Sequence, residues 1–356
     1  MPASMPTRPS SPLDTGGGRI VASRFRPAWW LPGPHLQTIW PSLARRRPRL
    51  PLTRRRIELS DGDFIDLRMG GPGGGRVLVI HGLEGDLQSH YAGTLMDALT
   101  RAGYAPIFMH LRGCSGEPNR LDRSYHSGAT EDLAEVLAAL AQDPEGAPQA
   151  AIGFSLGGNL LLKYLGETER PLVAAGIAVS VPFVLRDAML RLELGASRLY
   201  RGYLMGKLKD AFRRKFQDRP RPLPVEIDRM RDFNEFDDQI TAPLCGFSGV
   251  FDYYSRASSR QFLPRITTPT LVLHALDDPF MFPTTVPMEH ELGPGVTLEL
   301  SRHGGHVGFV AGPLPWRPVY WLEGRILSFL SEVAEDPGSP NRPPITGQPP
   351  RIPGML

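Results

Sequence analysis

The sequence predicts an α/β fold: a mostly parallel central sheet, helices on both faces, and a helical insertion near the middle of the chain. Three observations carry this expectation. Short apolar runs alternate with stretches of helical periodicity from residue 54 to residue 335. One run, Ala150–Phe154, ends in Gly153-Phe154-Ser155-Leu156-Gly157 and gives way at once to a helix-like stretch, residues 159–165. Residues 183–265 then interrupt the alternation with a long segment rich in Arg and Leu.

Each element has its own signal. Residues 54–59 and Phe64–Met69 flank Asp61-Gly62, which marks a hairpin. Residues 76–81 read as a buried strand followed by a loop. Residues 91–101 repeat apolar side chains at helical spacing, and Gly103 caps them. Residues 104–110 form the next strand. Residues 130–142 are helical, with Glu131 and Asp132 in the first turn, where negative charge suits the macrodipole. Residues 172–181, 269–275 and 296–300 are further strands, and 318–335 is a closing amphipathic helix. Continuous apolar runs of this kind fit parallel strands buried on both faces, with the hairpin as an antiparallel start.

The insertion carries Tyr200, Tyr203, Phe212, Phe216, Tyr253 and Tyr254. Its place in the order puts it over the C-terminal ends of the strands, where ligands bind in open α/β sheets. It reads as a cap over an apolar pocket, the alternative being an added helical layer without ligand contact. Residues 1–19 and 336–356, rich in Pro, Ser and Gly, are expected to be disordered tails around one domain, residues 20–335.

Hydrophobic residues at 41%, charged residues at 22% and a net charge of +3 describe an ordinary globular chain and point to no nucleic-acid partner. The charge is uneven. Arg45, Arg46, Arg47, Arg49, Arg54, Arg55 and Arg56 crowd one stretch, and a second basic run extends from Arg198 to Arg221. Both read as solvated surface or as attraction to anionic head groups or acidic substrates. Trp29, Trp30 and Trp40 read as packing or as peripheral contact with a membrane. The longest apolar run, residues 172–185, is too short to span a bilayer and contains Pro182. Cys114 and Cys245 build no disulfide framework and no secretory pattern is visible, so a cytoplasmic setting is expected. The oligomeric state is not encoded in any motif.

The strand–serine–helix pattern reads as a nucleophile elbow, in which a sharp turn lifts the Ser155 hydroxyl above the sheet. A serine hydroxyl is a weak nucleophile and needs a general base within hydrogen-bond reach. His274, His290, His303 and His306 follow it in the chain. His274 lies inside a strand and His290 in a helix-like stretch. His306 is preferred over His303, because the glycines before it let the loop turn inward and residues 307–309 pin the chain behind it. The acid should follow a strand end. Asp277 and Asp278 both do, and the residues alone leave either open. The oxyanion hole needs two backbone donors, expected at Leu156, after the serine, and at Leu83, in the loop after residues 76–81. His81 reads as a structural residue of that loop, and Cys114 as a buried thiol. No Cys/His spacing fits a metal and no Gly-rich fingerprint follows a strand, so neither metal nor nucleotide cofactor is expected.

Six stretches together resemble the YheT-like branch of the α/β-hydrolases over roughly residues 25–332. They are Pro34-His35-Leu36-Gln37-Thr38, His81-Gly82-Leu83-Glu84-Gly85, Arg112-Gly113-Cys114-Ser115-Gly116, Gly153 to Asn159, Asp277-Asp278-Pro279-Phe280 and Gly304 to Phe309. The resemblance implies a triad of Ser155, Asp278 and His306, and ester or acyl chemistry on a small-molecule substrate without a cofactor. An H-x4-D acyltransferase motif of some relatives is absent, since His126 and Asp132 stand one residue too far apart. The expected function is therefore ester hydrolysis through an acyl-enzyme. The alternatives are acyl transfer to an alcohol and, from another class, lipid binding on a hydrolase scaffold without catalysis.

Overall fold

The computed structural model describes residues 17–335. The expected tails lie largely outside these residues: 1–16 of the first and all of the second. The boundary after residue 19 needs correction, because Gly18 N–H donates to Leu292 O and Arg19 opens a strand. That strand, β1 (Arg19–Ala22), pairs in parallel with the last strand of the sheet.

Helix α1 (Pro34–Ala44) follows, started by a proline at its first turn. Strands β2 (Thr53–Glu58) and β3 (Phe64–Met69) form the expected hairpin. Gly62, with φ +86°, supplies the left-handed turn between them. Then come β4 (Arg76–Ile80), α2 (Ala92–Arg101), β5 (Ala105–Met109), α3 (Thr130–Ala141), β6 (Ala150–Phe154), α4 (Leu156–Glu167) and β7 (Ala175–Val179). The insertion holds α5 (Leu185–Leu192), α6 (Ser197–Lys215), a helical run made of α7 (Phe233–Phe236), a π turn and α8 (Ala242–Leu244), and α9 (Val250–Ala257). Strands β8 (Thr270–Ala275) and β9 (Val296–Ser301) complete the sheet. A two-stranded ribbon of β10 (Val310–Ala311) and β11 (Val319–Tyr320) leads into α10 (Trp321–Glu335).

The nine-stranded sheet has the order β1-β9-β8-β7-β6-β4-β5-β3-β2. Strand β3 is antiparallel to both its neighbours, and every other pairing is parallel. Alternation along β4 fills both faces. Leu78 and Ile80 join the core with Leu133, Val136 and Leu160 of α3 and α4, while Val77 and Val79 pack with Leu95, Met96 and Ile326 of α2 and α10. Fully burying each such side chain contributes about 1.5–3 kcal/mol. The strand order turns back at β4 and β6. The chain steps from β4 out to β5 and returns to β6 on the other side, which opens a crevice beyond the C-terminal ends of these two strands.

Candidate active site

The loops that follow β4, β6, β8 and β9 all leave the sheet at that same edge. Ile80 pairs with Gly153, Phe154 with Val179, and Ala275 with Ser301, so the residues just beyond them are neighbours in space. Ser155 follows β6 directly and caps α4, with φ 51° and ψ −117°. The turn requires glycine on both sides of it. A Cβ on Gly153 would lie 2.3 Å from Gly157 O, and one on Gly157 would lie 2.5 Å from His81 O. The positive φ at a serine is strained backbone, a cost of about 1–3 kcal/mol that packing must over-determine. Four other non-glycine residues have positive φ among the described residues: Glu84, Ser180, Val307 and Phe309. All four sit in the loops around Ser155.

The loop after β9 brings His306 to Ser155. His306 Nε2 lies 3.0 Å from Ser155 Oγ, and His306 Nδ1 lies 2.8 Å from Asp278 Oδ2. Asp278 follows β8 and is almost wholly buried. Its other oxygen accepts the Phe280 N–H at 2.8 Å. Asp277 points the opposite way. Its Oδ1 accepts the Gly305 N–H at 3.0 Å and its Oδ2 pairs with the largely exposed His303 at 3.2 Å. The two adjacent acids thus have separate partners on one loop.

Three residues to which the sequence reading gave no role fix the His306 backbone and ring. Thr38 Oγ1, on α1, accepts the His306 N–H at 2.9 Å. Ser180 Oγ, just beyond β7, accepts the Val307 N–H at 3.0 Å. The Phe280 ring stacks on the imidazole. Thr38 and Phe280 lie within motifs that the sequence singled out, although no local signal disclosed these contacts.

The loop after β4 closes on the serine from the other side. A Cβ on Gly82 would lie 3.2 Å from Ser155 Cβ. Gly82 N–H donates to Tyr91 OH at 3.0 Å and Glu84 N–H donates to Tyr125 OH at 2.8 Å. The Leu83 N–H between them has no acceptor among the described residues, and neither has the Leu156 N–H at the start of α4. Both sequence-expected donors are therefore unengaged, and Leu156 has the positive end of a helix behind it.

Comparison with known proteins gives this geometry a lineage. The family model of the alpha/beta hydrolase fold matches residues 75–313. The chain is 44% identical over 310 residues to "Putative esterase YheT" of Escherichia coli (strain K12), covering 85% of this chain and 91% of that protein. The chain belongs to the α/β-hydrolase family, in its YheT-like branch. It is also 28% identical over 331 residues to "Phospholipase ABHD3" of Mus musculus, covering 89% of this chain and 80% of the relative. Among solved structures, the Pyrococcus furiosus esterase Pf2001 superposes with a TM-score of 0.53 at 16% identity, over 88% of this chain and 98% of that one. That likeness concerns the fold.

In this hydrolase the insertion and the loops enclose a cavity of about 820 Å³ that reaches Ser155 and His306. Its far wall is apolar, formed by Leu185, Met189, Leu208, Phe212, Phe236 and Ile240. Asp237 also lines it, in the π turn. Burial pushes its carboxyl up to about 6 although Thr241 and Tyr254 hydroxyls bond to it. On α6, Lys207 Nζ donates to Glu84 O at 3.0 Å and ties the insertion to the loop after β4.

The remaining candidates have other partners. His81 Nε2 accepts the Leu111 N–H at 3.0 Å, so Nδ1 carries the proton and donates to Gly82 O. Burial holds this imidazole down at about 3. His274 is buried in β8 against Phe183, pushed down to about 4. Burial raises the Cys114 thiol well above its ordinary value, the opposite of an activated nucleophile. Arg112, from the same stretch, is a buried hub for Asp63 and Asp132. Trp30 and Trp40 pack edge to face, while Trp29 is 76% exposed. No helix among the described residues is long and apolar enough to cross a membrane.

Proposed function

We propose that the protein is a serine esterase that cleaves carboxylic esters with an apolar acyl chain through an acyl-enzyme. The chain is a carboxylic ester hydrolase by class; the proposal concerns its machinery and its substrate. One observation carries it: the unbroken line Asp278–His306–Ser155, with bonds of 2.8 and 3.0 Å, ends at the floor of a largely apolar cavity.

In this reading Ser155 Oγ attacks the ester carbonyl carbon while its proton passes to His306 Nε2. Asp278 holds the Nδ1–H and stabilises the imidazolium that forms. The carbonyl oxygen, now an oxyanion, takes hydrogen bonds from the Leu83 and Leu156 amides, which need no reorganisation to receive it. The carbon–oxygen bond to the alcohol then breaks, and His306 returns its proton to that leaving oxygen. Water repeats the sequence on the acyl-enzyme. It gives a proton to His306, and the collapse of the second tetrahedral adduct releases the acid and reprotonates Ser155. The acyl chain lies along Leu185, Met189, Leu208 and Phe236. A cavity of this size suits a drug-sized or lipid-like ligand.

The test is labelling by a fluorophosphonate together with turnover of p-nitrophenyl esters of increasing acyl length. Both should vanish in Ser155→Ala. Turnover that persists in that variant excludes the reading. Added ethanol distinguishes acyl transfer: ethyl ester appearing in place of free acid would move the assignment to an acyltransferase.

A further inference from the structure

The cavity mouth is bordered by two helices that turn apolar side chains outward. On α1, Leu36, Ile39 and Leu43 follow one another at helical spacing on a single stripe and are 47%, 40% and 79% exposed. On α6, Leu199 and Tyr203, one turn apart, are 75% and 64% exposed. Four of these five, Leu36 being the exception, also line the cavity that reaches Ser155. The exposed apolar stripe and the entrance are therefore one continuous surface. Scattered exposed leucines are ordinary, whereas a contiguous apolar rim at a ligand entrance marks an interaction site.

Charge identifies the partner. No Asp or Glu occurs between Asp14 and Glu58, while Arg46, Arg47 and Arg49 follow α1, exposed and with no carboxylate partner among the described residues. Arg47 lines the cavity mouth. Helix α6 has seven cationic residues against the single acid Asp210. Arg201 pairs with Glu193, Arg213 with Asp210 and Asp228, and Lys215 is buried, which leaves Arg198, Lys207, Lys209 and Arg214 without a carboxylate partner among the described residues. An apolar rim flanked by unpaired arginines is complementary to a layer with anionic head groups above hydrocarbon. An acidic protein partner would meet the arginines but would leave Leu43 and Leu199 without an apolar layer to enter.

We propose that the α1–α6 rim is a membrane-docking surface, which seats the cavity mouth on an anionic lipid surface so that an apolar acyl chain enters from the bilayer. Docking itself is independent of the chemistry. Only the passage of an ester to Ser155 rests on the esterase reading.

The test is cosedimentation of the full chain with vesicles of phosphatidylglycerol and phosphatidylcholine in equal parts, compared with phosphatidylcholine alone. Binding to the anionic vesicles is expected, weakening as salt is added. Arg46→Glu, Arg49→Glu and Arg198→Glu together should lower the affinity about a hundredfold or more, each basic residue near the surface being worth about fivefold. Leu43→Asp should abolish detectable binding, and its melting temperature checks that it folds. Ser155→Ala should bind vesicles like the parent, which separates failure of docking from failure of catalysis. Absence of binding to anionic vesicles overturns the proposal, as does parental binding by Leu43→Asp. A concentration-dependent dimer that Leu43→Asp dissolves would assign the rim to a second copy of the chain and likewise overturn it.

Discussion

The imidazole of His306 lies face to face on the ring of Phe280, with centroids 3.9 Å apart and planes 3° apart. Phe280 in turn touches Tyr200 of α6, 4.9 Å between centroids, so the ring is held from the side of the insertion. In the proposed mechanism His306 becomes a cation only when it takes the serine proton. An aromatic face favours that cation by about 0.5–2 kcal/mol. Phe280→Leu should therefore lower kcat by about 3–30-fold, with a smaller change in KM. Phe280→Tyr, which keeps the face, should retain most of kcat. Steady-state kinetics on a short p-nitrophenyl ester decides it, and equal losses in both variants would mean that the ring only fills space.

Asp277 and Asp278 are adjacent carboxylates with opposite errands. Asp278 faces the His306 ring, while Asp277 grips the loop through Gly305 N–H and His303. Asp278→Asn should cost kcat about 10⁴-fold, since an amide disturbs the imidazole tautomer. Asp277→Asn can still accept the Gly305 N–H and should stay near parental activity. Asp277→Ala cannot, and should lose about 1–3 kcal/mol of stability with a modest fall in rate. Comparing kcat and denaturant midpoints across the three variants separates ring from loop. A larger kcat loss for Asp277→Asn than for Asp278→Asn would reverse the assignment.

The proposed oxyanion site is defined by its neighbours. Tyr91 and Tyr125 take the N–H groups on either side of Leu83 and leave its own unengaged. Leu83→Ala keeps the amide and should change kcat little. Tyr125→Phe removes the acceptor for Glu84 N–H and the donor to its carboxylate, at a residue whose φ is already 48°. The loop should relax, and kcat should fall toward the ~10²–10³-fold loss typical of one missing oxyanion donor. Circular dichroism checks that the fold persists. Parental kcat in folded Tyr125→Phe would show that the tyrosine does not hold the loop.

Much of this architecture was legible in the sequence. Strands β4 to β9 were visible because parallel strands buried on both faces leave continuous apolar runs, such as Arg76–Ile80 and Thr270–Ala275. Strand β1 was not, because four residues at a sheet edge, half exposed and beside a Pro/Gly-rich lead, leave no such run. Helix α1 was hidden by Pro34 and Pro41. That Ser155, Leu156, Leu83 and His306 lie just beyond strand ends was readable from the order of the elements along the chain. The choice between Asp277 and Asp278 was not, because it depends on which way each carboxylate turns, and only the resemblance to known hydrolases favoured one. Thr38 and Ser180 could not be read, since their bonds to the His306 loop span 268 and 127 residues of chain.

The buried histidines should make the fold lose stability as pH falls below about 6.5. Burial lowers the imidazoles of His81 and His90 to about 3 and those of His126 and His274 to about 4. In the unfolded chain each titrates near 6.5. The unfolded state therefore binds the extra protons, so this stability is fully present above about pH 6.5 and drains away as pH falls through the folded values. Each histidine forfeits about 1.4 kcal/mol per pH unit in that window. Asp237, pushed up to about 6, acts in the opposite sense and offsets one of them between its unfolded value and 6. Asp66 and Glu117, both held low by arginines, contribute only below about pH 4. Urea unfolding between about pH 7.5 and pH 5 should show stability falling by several kcal/mol. His274, like His90, has an Nδ1 with no hydrogen-bond partner among the described residues, so His274→Leu isolates one proton. Its slope of stability against pH should be shallower by about 1.4 kcal/mol per unit, and a slope equal to the parent's would refute this account of His274.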